Sequence, residues 1–336
     1  MDRSRSCPQP RVRLGLVGAA LATIGIVVAA CSGAATPAPP AGAPAIVVTF
    51  PVLGAVVRDL VGDGATVTVL MENGVDPHDW APSAKDIEAV EKADLVVANG
   101  LALEEGLDKT LDEAERRGIP VFRATDHITV RQLGGEQGPG ARASVAPGGS
   151  MPEASAASAS DPSASRQGAG DPHFWVDPLA MRSVVAALAT AIEEEAGLDL
   201  ADRAADLEGR LEALDAEVRA TLATVPEARR KLVTGHESMG YFADRYGFEL
   251  IGSVIPGLTT QGEVSAGQLA ALKAAIEQAG IPAIFAEVGT PRAVVEAIAR
   301  ETGVTVVELS SHTLPADGSY FSFIREIAAT IAEALR

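Results

Sequence analysis

The stretch AIVVTFPVLGAVVRDLVGDGATVTVLM, Ala45 to Met71, sets two short β-branched runs, Ile46 to Phe50 and Thr66 to Met71, on either side of a helical segment, Leu53 to Val61. The alternation continues through Ser83 to Ala93, Leu95 to Asn99, Glu104 to Arg117 and Pro120 to Ala124. Four strands with helices between them imply a parallel sheet. The helix at Ser83 opens with Ser83-x-x-Asp86, the pattern of a capping box. From Ala201 to Ala223 the apolar positions Leu207, Leu211, Leu214, Val218 and Leu222 recur three to four apart, the stripe of a long amphipathic helix. At about 1.5 Å per residue it would span about 35 Å, enough to brace two lobes. A second alternation then runs from Lys231 to Leu335. The expected fold is α/β: two lobes, each with a roughly four-stranded parallel sheet, joined by a long rigid α-helix. The expected boundaries are residues 45–200, 201–224 and 225–336.

The ends and the middle of the chain have a different composition. Residues 1–30 carry Arg3, Arg5, Arg11 and Arg13, then 17 apolar-rich residues from Leu14 to Ala30, ending at Val28-Ala29-Ala30-Cys31. A basic start, a short apolar run and small residues after it read as a secretory signal, and the run is at the short limit of a membrane span, roughly 17 to 25 residues. Val-Ala-Ala-Cys resembles a bacterial lipobox, which makes Cys31 the expected lipid anchor and residues 31–44, built from Ala, Pro, Gly, Ser and Thr after the cysteine, a tether. With Cys7 removed and Cys31 modified, no cysteine pair is left for a disulfide. Losing residues 1–30 removes four arginines and one aspartate, a net +3, so the charge goes from −18 to −21. Such a surface is unsuited to nucleic acid or anionic lipid. Gln132 to Gly170 is a tract of Gly, Ala, Ser and Pro with few large apolar residues, expected to be a mobile loop.

The chain has 5 histidines. Two share one frame, Asp76-Pro77-His78-Asp79-Trp80 and Asp171-Pro172-His173-Phe174-Trp175. A proline before each histidine stiffens the loop that presents the imidazole, and the flanking aspartates are placed to accept the second ring N–H, which fixes tautomer and orientation in a ligating histidine. In parallel sheets, binding residues gather beyond the carboxyl ends of strands. His78 follows a strand of the first lobe, His236 follows Lys231 to Thr234, Glu287 follows Ala283 to Ala286, and Glu308 lies near the end of Val304 to Leu309. The cleft between lobes is the natural meeting point. Three neutral imidazoles and a carboxylate suit tetrahedral Zn²⁺, whereas Mn²⁺ prefers harder, oxygen-rich shells. His127 follows a strand without any matching motif and reads as a surface residue.

Enzyme signatures fail on inspection. Four positions after His236-Glu237 begins stands Gly240, so the zinc-protease His-Glu-x-x-His pair is missing. Ser238 lacks the glycine two places before it that a nucleophile elbow needs, and no phosphate-binding Gly-x-x-x-x-Gly-Lys-Ser/Thr occurs. The chain is expected not to be an enzyme. A metal-dependent surface hydrolase would need a water on the metal and a base such as Glu287; a metal-stabilised adhesin is the other alternative.

The segments DPHDWAPSAK (Asp76 to Lys85), DPHFWVDP (Asp171 to Pro178) and VTGHESMGYFADRYGF (Val233 to Phe248) resemble the three histidine motifs of the zinc/manganese solute-binding lipoproteins of ABC importers, the ZnuA-like, cluster A-I type. The resemblance implies two α/β lobes, metal in the cleft, and delivery to a membrane permease by a monomer anchored on the outer face of the bacterial cytoplasmic membrane. Carried over position by position, His78, His173 and His236 match family ligands. Histidine in the third motif, where manganese-type members tend to have glutamate, points to Zn²⁺ as cargo with Mn²⁺ the alternative. Counting back from Gly318-Ser319-Tyr320 puts the family's acid ligand at Glu308, with His312 its rival and Glu287 behind the ligands. Zinc-type relatives often carry histidines in the region of residues 132–170; this chain has none there.

Overall fold

The computed structural model describes residues 42–133 and 169–336; residues 1–30, Cys31, the tether up to residue 41 and residues 134–168 of the Gly/Ala/Ser/Pro tract lie outside them. The N-terminal half contains β1 (Ala45–Val48), α1 (Pro51–Val61), β2 (Thr66–Val69), α2 (Ala84–Glu91), β3 (Leu95–Ala98), α3 (Asp108–Arg116) and β4 (Val121–Arg123). The strands form one parallel sheet in the order β2-β1-β3-β4. β1 stops earlier than the apolar run because Pro51, with its fixed φ and no N–H, opens α1. Ser83 and Asp86 cap α2 reciprocally, as the Ser-x-x-Asp pattern implied.

Then come α4 (Pro178–Ala196) and α5 (Ala201–Leu222), followed by β5 (Lys231–Thr234), α6 (Gly240–Tyr246), β6 (Glu249–Ser253), α7 (Ala266–Ala279), β7 (Ala283–Ala286), α8 (Arg292–Thr302), β8 (Thr305–Glu308) and α9 (Tyr320–Leu335). The second set of strands is also parallel but split: β5 pairs with β6 and β7 with β8, and β5 packs beside β7. No helix among the described residues is long and apolar enough to cross a membrane.

Period-two alternation sorts the strand side chains between cores. Ile46, Val48, Leu95 and Val97 face one large central core, while Val47, Val96 and Ala98 face a smaller one under α2 and α3. In the other half Phe285 faces the central core, and Ile284 and Ala286 face a third cluster under α7 and α8. The central core is shared between the halves. Leu207, Leu211, Leu214, Val218 and Leu222 of α5 are buried in it, and α5 packs on α4 and α9 as well as α1. A fully buried leucine contributes about 1.5–3 kcal/mol relative to exposure, so this stripe fixes α5 firmly against α4, α9 and α1.

Candidate metal centre

The carboxyl ends of the strands of both halves converge on one point. His78 comes from the loop after β2, His173 from the segment entering α4, His236 from the turn after β5, and His312 from the turn after β8. One ring nitrogen from each lies within 4.8 Å of the others. His173 Nε2 stands 3.2 Å from His78 Nε2 and 3.2 Å from His236 Nε2. Nitrogens at the corners of a tetrahedron around an ion at about 2.0–2.1 Å would be about 3.3–3.4 Å apart, so these two edges already have ion-holding dimensions. The His312 ring stacks on His236 with centroids 5.2 Å apart.

Three of the rings, His78, His173 and His312, are poor bases in this setting. Burial, with the neighbouring His173 and His236 rings, takes His78 down to about 2. Burial also holds His173 and His312 well below the ordinary histidine value. Neutral rings offer lone pairs, and His312 Nε2 is buried with no hydrogen-bond partner among the described residues. An orphaned buried acceptor facing three other imidazoles fits a cation.

Two buried carboxylates stand behind the rings. Asp171 Oδ1 accepts from His173 Nδ1 at 2.8 Å and from the His173 backbone N–H at 2.9 Å, which leaves the Nε2 lone pair aimed inward. Burial pushes the Asp171 carboxyl up to about 6, against the pull of those bonds and of Arg131, whose Nη1 is 3.5 Å from Oδ2. Gly240 packs so closely on this pair that a Cβ would stand 2.6 Å from Asp171 Oδ2. Glu287 Oε2 lies 3.2 Å from His236 Nδ1, at ion-pair distance without hydrogen-bond alignment, and accepts the His236 backbone N–H at 3.2 Å. Burial alone would raise the Glu287 carboxyl, but His236 and the Ser238 hydroxyl hold it below the ordinary range. Behind His312, Ser311 Oγ meets Nδ1 at 2.8 Å. Trp175, fully buried, walls the cluster between His173 and His312, its Nε1 donating to the Ser311 carbonyl at 2.8 Å.

The structure brings together His78, His173, His236 and His312, and places Glu287 behind His236. Glu308 lies elsewhere, which corrects its expected place in the cluster. It pairs in register with Ala286, whose side chain faces the third core, and paired residues of a parallel ladder point to the same face of the sheet. Its side chain is therefore on the α8 side, 69% exposed and 3.6 Å from Arg292. The turn that carries the rival His312 folds back over the strand ends, with the Ser311 N–H on the Leu309 carbonyl at 3.1 Å. The two Asp-Pro-His frames also differ in use: Asp76 accepts the His78 backbone N–H at 3.0 Å, whereas Asp171 takes both backbone and ring. His127 stacks face to face on Phe122, exposed and outside the cluster. Sequence reasoning missed Ser238 and Ser311, which support the cluster without any recognisable motif.

The chain resembles known proteins in sequence and in fold. Residues 46–334 match the family described as zinc-uptake complex component A, periplasmic. The zinc-binding protein TroA of Treponema pallidum is 28% identical over 285 residues, which is 84% of this chain and 80% of TroA. Its solved structure superposes with a TM-score of 0.70, covering 88% of this chain and 99% of that one. The manganese-binding lipoprotein MntA of Halalkalibacterium halodurans is 24% identical over 279 residues, 82% of this chain and 81% of MntA. With a family match over nearly its whole described length, the chain belongs to the family of periplasmic zinc-uptake components, which are metal-binding solute-binding proteins and not enzymes.

Proposed function

We propose that the chain captures Zn²⁺ outside the cytoplasm through His78, His173, His236 and His312 and hands it to the permease of an ABC importer. The four inward nitrogens, two of their separations at 3.2 Å, carry this reading. An all-nitrogen set favours zinc over manganese, which gains more from oxygen donors and lies lower in the general order of divalent affinities. Four protein nitrogens also complete a tetrahedral shell, so no position is left for the water that hydrolytic zinc needs. Asp171 and Glu287 supply two negative charges behind the rings, which offsets the charge of a buried divalent ion. The names of TroA and MntA span both metals, so the competing cargo is Mn²⁺. Residues 1–30 serve as an export signal, Cys31 as the lipid anchor on the outer face of the membrane, residues 31–44 as the tether, and the chain acts as a monomer. Native purification followed by metal analysis, with zinc and manganese then competed on the stripped protein, tests the assignment. Stoichiometric zinc and a preference for zinc of at least about tenfold are expected. Manganese as the retained metal, or no preference, would refute the zinc reading.

A further inference from the structure

His78 is the partly exposed member of the cluster, while His173, His236 and His312 are buried. Its loop, between β2 and α2, grips the C-terminal half at two further points. At the first, Asn73 Nδ2 donates to the Leu314 carbonyl at 2.8 Å and Asn73 Oδ1 accepts the Leu314 N–H at 2.8 Å. One carboxamide thereby exchanges both bonds with one residue's backbone, as a hydrogen-bonded pair of antiparallel strands does, which fixes separation and orientation together. Leu314 lies two residues beyond His312. At the second, Asp76 uses one oxygen for the His78 backbone N–H, at 3.0 Å, and the other for the Thr260 hydroxyl, at 2.6 Å. Thr260, 8% exposed, belongs to the loop between β6 and α7. Gly289, at φ +83°, closes the same corner: a Cβ there would stand 2.4 Å from Asp76 Oδ2 and 2.7 Å from Thr260 Cγ2, and Glu287 is two residues away.

We infer that Asn73 and the Asp76–Thr260 pair are positioning residues for His78, a two-point clasp that sets how long the metal is retained. The inference rests on the four imidazoles being the cargo site. His78, the least buried ligand, is the one whose departure opens the shell. Its loop is tied to the turn of His312 on one side and to the corner beside Glu287 on the other. Removing the clasp leaves every ligating nitrogen in the sequence, so the ion is still recognised. What changes is the freedom of the His78 loop to swing away, and this acts on dissociation more than on association.

The test uses the purified protein loaded with zinc, its dissociation rate read by chase with excess chelator, and the melting temperature of the metal-free form. Asn73→Ala should raise the dissociation rate about tenfold, in the range of losses from groups that orient ligands. Asn73→Asp, which keeps the acceptor and loses the donor, should fall between. Thr260→Val should raise the rate several-fold, roughly the effect of one buried hydrogen bond, and Thr260→Ser should restore it. Metal-free melting temperatures should stay within about 2 °C of wild type. Unmoved rates in both Asn73→Ala and Thr260→Val would overturn the clasp, as would a rate that rises only in step with lost metal-free stability. Should Asn73→Ala fail to fold, the Thr260 pair decides alone. Wild-type protein that binds no zinc would overturn the cargo reading and the clasp with it, whereas tight wild-type binding with unmoved variants overturns the clasp only.

Discussion

Exchanging the fourth ligand is the sharpest perturbation of the site. Structural zinc sites with four protein ligands bind with apparent free energies of about 10–16 kcal/mol, or roughly 2.5–4 kcal/mol per ligand. His312→Ala should therefore weaken zinc binding by about 10²–10³-fold. The metal-free fold loses the Ser311 contact and the ring contacts with His236 and Trp175, but no hydrogen bond at Nε2, which has no partner among the described residues, so metal-free melting separates packing loss from metal loss. Glu308→Gln is the matched control. Its side chain is 69% exposed and pairs with Arg292 at 3.6 Å, an exposed pair of the kind that contributes about 0–1 kcal/mol to stability and nothing to an ion across the sheet. Zinc affinity of Glu308→Gln should stay within about twofold, measured by competition with a chromophoric chelator alongside metal-free melting. If His312→Ala binds within about threefold of wild type, or Glu308→Gln loses tenfold or more, the four-imidazole assignment is wrong.

Asp171→Asn and Glu287→Gln remove charge behind His173 and His236 at nearly constant shape, and each should weaken zinc binding by about 10–100-fold in the same competition assay. Replacing residues 134–168 with a short Gly/Ser linker should leave the zinc dissociation constant within about threefold and the melting temperature nearly unchanged. The flanks are already joined there, the Leu133 N–H on the Ala169 carbonyl at 2.9 Å and the Asp171 N–H on the Arg131 carbonyl at 2.7 Å, so loop closure costs little. A tenfold loss of affinity would show that the segment takes part in binding. Gly209→Ala should raise stability by about 0.5–1 kcal/mol in denaturant melts, because Gly209 is exposed inside α5 and a Cβ there meets nothing within 4 Å; a loss of stability would contradict that geometry.

The fold was legible because its signals are local and repeated. β-branched runs such as Ile46 to Val48 and Leu95 to Ala98 can satisfy two buried faces only in a covered parallel sheet, and the stripe from Leu207 to Leu222 has one solution, a helix with that face inward. Strand ends were less legible. Phe50 and Met71 are as apolar as the strands before them, but a proline after Phe50 and the turn after Leu70 end the ladders early. The split of the second sheet into two pairs was not visible, since hydrogen-bond pairing between β5 and β7 leaves no mark on the composition of either strand.

At the site, three histidines announced themselves by frame and by position after strands, and the fourth did not. From sequence, the family's spacing back from Gly318-Ser319-Tyr320 and nearness to a strand end both favour Glu308 over His312. Closeness was the wrong criterion, because the face of the last strand residue is set by ladder register with β7, and that register turns Glu308 toward α8. Charge does not require Glu308 either. Four imidazoles alone leave the two positive charges of a divalent ion to bury, but carboxylates that do not touch the ion also offset them. Asp171 and Glu287 are both buried within 3.2 Å of a ring nitrogen on the far side of the histidines they support. Both carboxylates offset the charge and would leave the ligand set all nitrogen, and Asp171, which accepts the His173 ring N–H at 2.8 Å, also keeps its tautomer. The negative charge expected from an acid at the fourth corner is thus supplied twice from behind the histidines.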